Sequence, residues 1–117
     1  MKLALVSDPN TENGLAGIKY VLDAQGSSSK HIGYIASQPD PARDYYIPTQ
    51  HMYSKLGDRL DCYLELESGF NEVSLKQLLA CDAIHLSGVY FCGDNTSLVI
   101  IDGDLVELGE PFSWVMN

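Results

Sequence analysis

His85 and Ser87 are an imidazole and a hydroxyl two positions apart, the pair of groups from which a base-activated nucleophile is built. On a strand they point to one face. Extended side chains at that spacing rarely make the Ser–His hydrogen bond that activation requires, so His85 reads better as a packed strand residue beneath a helix. Cys92, in Tyr90-Phe-Cys-Gly93, offers a thiol. A catalytic thiol needs a lowered pKa and a turn that presents it, and these flanking residues match no such elbow. Cys92 reads as a buried, inert thiol.

Carboxylates are the other candidate chemistry. Asp8, Glu12 and Asp40 fall in or beside loops and are able in principle to gather around a cation or a metal. No histidine lies near them in sequence, and the reading preferred is a set of solvated loop carboxylates. Asp102, Asp104, Glu107 and Glu110 are most simply the exposed face of a hairpin. His31 and His51 carry no spacing signal, and neither a metal site nor a cofactor is implied.

The elements that position these groups follow from the apolar pattern. Leu3, Ala4, Leu5 and Val6 form a continuous apolar run, as in a strand buried on both faces. Leu15, Ile18 and Leu22 recur at helical spacing before Gly26 and three serines. Residues 31–36 make a second strand. The connection opened by Pro39 and Pro41 turns helical to about residue 56, with Pro48 expected to kink or delay that helix. Residues 61–66 read as a third strand, Leu75, Leu78 and Leu79 as a third helix, and residues 82–87 as a fourth strand.

Strand and helix thus alternate three times, the pattern of parallel βαβ units with helices on both faces of a twisted sheet. A flavodoxin-like, three-layer α/β domain is the expected fold. After Gly88 the rhythm changes. Residues 98–101 and 105–108 flank Asp102-Gly103-Asp104, which predicts an antiparallel hairpin with an Asp-Gly turn. One domain over residues 1–117 is expected, with a βαβαβαβ half at 1–88 and a hairpin and closing segment at 93–117.

Composition narrows the function. Sixteen acids against seven bases give a formal charge of −9, the wrong sign for tracking phosphates, so nucleic acid and anionic membranes are excluded as partners. Cys62, Cys81 and Cys92 show no CxxC spacing and lie in apolar surroundings, which suits reduced buried thiols and a reducing compartment. The run at residues 3–6 is too short for a signal peptide or a membrane span, so a cytoplasmic location is expected.

Ligands of open parallel sheets bind at the carboxyl ends of the strands, which directs attention to residues 7–13, 37–40 and the Ser87-Gly88 turn. At these loops the chain resembles the peptidase E family of aspartyl dipeptidases, to which cyanophycinases are related. The residues carrying the resemblance are Lys2-Leu-Ala-Leu-Val-Ser7, Ile32-Gly-Tyr-Ile-Ala-Ser37 and Cys81-Asp-Ala-Ile-His-Leu-Ser-Gly88. They continue in the stretch from Gly93 to Gly109 and in Phe112-Ser-Trp-Val115. The resemblance implies a class I glutamine amidotransferase-like fold and hydrolysis of Asp-X dipeptides by a serine nucleophile. It also makes Ser87 and Gly88 the remnant of an oxyanion loop, although a tight turn leaving the strand is the preferred reading of Gly88.

The family has a long stretch between these two pieces, holding a Gly-x-Ser-Ala-Gly elbow and its histidine partner. No Gly-x-Ser-x-Gly or Gly-x-Cys-x-Gly occurs in the 117 residues. The chain is therefore expected to be a shortened, catalytically incompetent relative and not a complete enzyme by itself. The alternatives are an active hydrolase with an unexpected nucleophile and an interaction module; a small peptide ligand has no residue to support it. Loss of the middle leaves the fourth strand with an open edge, to be covered by the hairpin or by a second copy in a homodimer.

Overall fold

The computed structural model describes residues 2–6, 8–26, 28–36, 38–65, 71–87 and 96–109. In chain order its elements are β1 (Lys2–Val6), α1 (Glu12–Asp23), β2 (His31–Ala36), α2 (Tyr46–Lys55), β3 (Arg59–Glu65), α3 (Glu72–Leu79), β4 (Ala83–Leu86), β5 (Thr96–Ile101) and β6 (Asp104–Gly109). They fall into two compact units, Ser28–Gly88 and the pair of segments Met1–Ser27 and Val89–Asn117.

The first unit is a three-stranded parallel sheet in the order β3-β2-β4. β2 is central, and its Ile32, Tyr34 and Ala36 are almost fully buried. On the opposite face Gly33 lies under α3, where a Cβ would come within 2.6 Å of Leu78 Cδ1. Leu78, 1% exposed, fills that space. α3 starts at Asn71, whose side chain accepts a hydrogen bond from the Ser74 amide at 2.8 Å and so satisfies one of the helix's orphan donors.

The β2–β3 register shifts between Ile32 and Gly33: Ile32 stands opposite Leu60, but Gly33 stands opposite Cys62. Asp61 is left as the extra residue of a bulge. Beside it, the Leu60 carbonyl accepts from the Tyr46 hydroxyl at 3.1 Å and from Gln50 Nε2 at 3.0 Å. The bulge thereby anchors α2 to β3. Pro48 lies in the first turn of α2, where a missing amide costs no intrahelical bond, so the helix begins at Tyr46, ahead of the proline, and runs through it to Lys55.

The second unit is antiparallel, in the order β1-β5-β6. This corrects two expectations. β1 does not extend the parallel sheet but pairs with β5, Lys2 opposite Ile101 and Val6 opposite Ser97. The hairpin is consequently seated on β1 and not on β4. An apolar run states that a strand is buried; it does not state which strand lies beside it or in which direction. The Asp-Gly turn itself forms as its composition dictates, with Asp102 at φ 48° and Gly103 at φ 95°, the two positive values of a two-residue hairpin turn.

α1 packs on β1 and β5 through Ile18 and Leu22, with Val99 fully buried. Its start is tightly built. The Thr11 hydroxyl donates to the Asp8 carbonyl at 2.7 Å and accepts from the Gly14 amide at 3.2 Å. A Cβ on residue 14 would lie 2.0 Å from the Asp8 carbonyl oxygen, so only glycine permits this approach. Among the described residues, no helix is long and apolar enough to cross a membrane.

Candidate functional site

The parallel register brings one aromatic ring from each strand into a row. Tyr34 stands opposite Tyr63 on one side and His85 on the other. The rings are stacked, with centroids 5.8 Å apart for Tyr34–Tyr63 and 5.5 Å for Tyr34–His85. α2 lies over this row. Tyr46 stands edge-on to both Tyr34 and Tyr63 with centroids 5.2 Å apart, and Tyr53 stands edge-on to His85 at 5.6 Å. Stacked and edge-on pairs of this kind each contribute about 0.5–1.5 kcal/mol beyond the area they bury.

At the His85 end, the Tyr53 hydroxyl and His85 Nδ1 share a hydrogen bond of 2.8 Å. Burial lowers the His85 pKa to about 4, so the ring is neutral at physiological pH. Burial, reinforced by the charge of Asp58, raises the pKa of Tyr53. Both partners of the hydrogen bond are held uncharged. No hydrogen bond joins His85 to Ser87 among the described residues; the Ser87 amide donates to the Ile35 carbonyl at 3.1 Å and extends the ladder beyond β4.

The Tyr63 end is polar. The Arg43 guanidinium carbon lies 3.8 Å from the Tyr63 ring centroid, and the Tyr63 hydroxyl donates to Glu65 Oε2 at 2.8 Å. Burial and that hydrogen bond push the Tyr63 pKa up to about 12. Arg43 itself has φ 60°, a left-handed conformation uncommon outside glycine. Asp40 holds it there, because the Asp40 carbonyl accepts from both the Arg43 amide at 3.0 Å and Nη1 at 2.6 Å.

Asp40 is therefore not a solvated loop carboxylate available to a cation. It is 5% exposed, and its carboxylate accepts from the amides of Asp44, Tyr45 and Tyr46 at 2.8, 3.2 and 3.3 Å. Those donors belong to the entry into α2, where a carboxylate also complements the helix dipole. Asp8 Oδ1 is likewise engaged locally, accepting from the Asn10 amide, and Glu12 lies in the first turn of α1 in the other unit.

The remaining candidates are placed as follows. His31 meets Asp61 Oδ2 at 3.1 Å while its amide donates to Asp82, and His51 is exposed. Asp102 and Asp104 are exposed, and Asp102 lies 3.8 Å from Lys2 Nζ. Gly88, Cys92, Glu110 and the closing segment lie outside the described residues, as does the Glu107 side chain. Cys62 and Cys81 are only half-buried, which corrects the expectation of apolar burial. Among the described residues, no group of three or more His, Cys, Asp or Glu side chains is placed to hold a metal ion.

Tyr34, Tyr46, Tyr53, Tyr63, Arg43 and Glu65 were not singled out from the sequence. A signal did exist: Tyr46 and Tyr53 are seven apart, two helical turns on one face, and face an aromatic at every strand of the parallel sheet. Chemically, the arrangement is a packed, neutral interior with a charged rim formed by Arg43, Tyr63 and Glu65, and it contains no activated nucleophile among the described residues. Comparison with protein-family models, with curated proteins and with solved structures finds no match to this chain.

Proposed function

We propose that the chain is a shortened, catalytically incompetent relative of peptidase E, retaining an α/β scaffold without the hydrolytic step. The observation carrying this reading is the commitment of His85: its ring is stacked on Tyr34, its Nδ1 is bonded to Tyr53, and it makes no bond to Ser87. The base of the Ser–His pair on β4 and its edge is thus occupied elsewhere. The order β3-β2-β4 with a helix in each crossover matches the start of a flavodoxin-like sheet and supports that finer fold for the parallel unit. The ancestry rests on the quoted motifs alone; the comparisons lend it no support. A cytoplasmic location accompanies this reading. The expected result with Asp-X dipeptides is no release of free aspartate above the uncatalysed rate. Measurable cleavage that Ser87→Ala abolishes would overturn the proposal in favour of an active hydrolase.

The partner that fits this reading is a second copy. Among the described residues β4 pairs with β2 alone, and its Ile84 and Leu86 are exposed. An apolar strand with an open edge is a template for pairing. Size-exclusion chromatography with light scattering is expected to give twice the chain mass, and a monomer mass across the micromolar range removes the homodimer.

A further inference from the structure

Cys62 and Cys81 are nineteen positions apart in sequence, yet the fold brings them together over Gly33. Cys62 stands opposite Gly33 in the β2–β3 register. The sulfur of Cys81, two residues beyond α3, lies 3.4 Å from the position a Cβ on Gly33 would occupy. The Cys81 thiol donates to the Gln77 carbonyl at 3.4 Å, and Cys62 is close enough to contribute to raising its pKa. The absent side chain of Gly33 leaves space beside both residues, with the Cys81 sulfur over Gly33 and Cys62 directly across from it in the register. Both cysteines are half-buried and so within reach of small reagents.

We propose that Cys62 and Cys81 form a reversible intramolecular disulfide by exchange with a low-molecular-weight disulfide. Burial, followed by the adjoining Cys62, pushes the Cys81 pKa up to about 11, so little of it is thiolate at neutral pH. Cys62 therefore attacks first and Cys81 resolves. The Cys62 thiolate displaces one thiol from the reagent and forms a mixed disulfide. The Cys81 thiolate then attacks the Cys62 sulfur and expels the second thiol. The two protons lost by the cysteines end on the two released thiols; the protein is oxidised by two electrons and the reagent is reduced by two. The bond ties β3 to the turn between α3 and β4, and a reducing compartment makes it transient.

The test treats the full-length protein with oxidised glutathione, traps remaining thiols by alkylation and maps peptides without reduction. The last basic residue is Lys76, so Cys81 and Cys92 share a tryptic peptide and the Cys92→Ser variant is needed to separate them. The expected product, in wild type and in Cys92→Ser, is one chain in which the peptides holding Cys62 and Cys81 are joined with the loss of two hydrogens. Cys62→Ser and Cys81→Ser are expected to lack it, and Cys81→Ser to retain glutathione on Cys62. The proposal is overturned if wild type keeps both thiols free, if glutathione stays on Cys62 without a link, or if the link runs to Cys92 or to a second chain. Fragment-ion sequencing of the joined wild-type peptides, which places the link on Cys81 or on Cys92, decides this even if a variant fails to fold.

Discussion

Replacing Tyr34 by alanine is expected to lower the stability of the parallel unit by about 3–5 kcal/mol, the range for removing a large buried aromatic side chain. Tyr34 is 1% exposed on the central strand. Its ring touches three others, Tyr63 and His85 by stacking and Tyr46 edge-on, and His85 in turn meets the Tyr53 ring near the far end of α2. Alanine removes the middle of the row and leaves a cavity beneath α2, which is held at Leu60 and cannot collapse freely onto the sheet. Hydrogen exchange followed at the amides of β2, β3 and β4 measures the change in the unit concerned. A loss below about 1 kcal/mol, the scale of an ordinary substitution, would show that the row is not the core of this unit.

Lowering the pH from 7 to 4 is expected to cost wild type roughly 3 kcal/mol through His85 alone, taking 1.36 kcal/mol for each unit between 6.5 and about 4. Above pH 6.5 the imidazole is neutral in folded and unfolded chains and adds no pH dependence. Between 6.5 and 4 the unfolded chain binds a proton that the folded chain refuses, so stability falls as the pH falls. Near pH 4 the folded form begins to take up the proton and the loss levels off. The groups against the ring, Tyr34 and Tyr53, are uncharged and offer no compensation. His85→Phe keeps an aromatic ring in the row and removes the titration. Urea unfolding of both proteins across this range is expected to show wild type losing about 3 kcal/mol more than the variant; parallel profiles would exclude His85 as the cause. The exposed His31 and His51 and the carboxylates are common to both proteins and cancel.

How much of this was legible beforehand depends on the distance over which each feature is encoded. The Asp102-Gly103 turn is a two-residue preference for positive φ, and it appears where its composition places it. The helix and strand segments are periodicities of a few residues, and α1, β2, β3, α3 and β4 lie close to their expected positions. Pro48 is expected to kink or delay α2, yet the helix begins at Tyr46, ahead of it, because a proline in the first turn removes no intrahelical bond. The role of Asp40 was missed although all three amides it bonds lie within six residues, because the loop between them is turned by the left-handed Arg43, which no residue-type preference announces.

The site candidates divide in the same manner. His85 and Ser87 are close in sequence and invite a joint role, yet the bond His85 makes is to Tyr53, thirty-two positions away. The three cysteines showed no spacing signal because the nearness of Cys62 and Cys81 to Gly33 is made by strand register and by the small size of Gly33. The absence of a Gly-x-Ser-x-Gly pattern, by contrast, is a property of contiguous residues and needed no structure to be seen.

By itself, the order of residues determined that this is an α/β chain with an acidic balance, a glycine-turned terminal hairpin and no Gly-x-Ser-x-Gly turn, since each of these is written in composition or in neighbouring residues. Only the tertiary structure decided that β1 leaves the parallel sheet for β5, that Tyr63, Tyr34 and His85 form one row, and that Cys62 and Cys81 both come to lie beside Gly33. The physical reason is that apolar burial is non-directional. It requires a strand to be covered without choosing its neighbour, and the choice of neighbour sets every contact across the sheet.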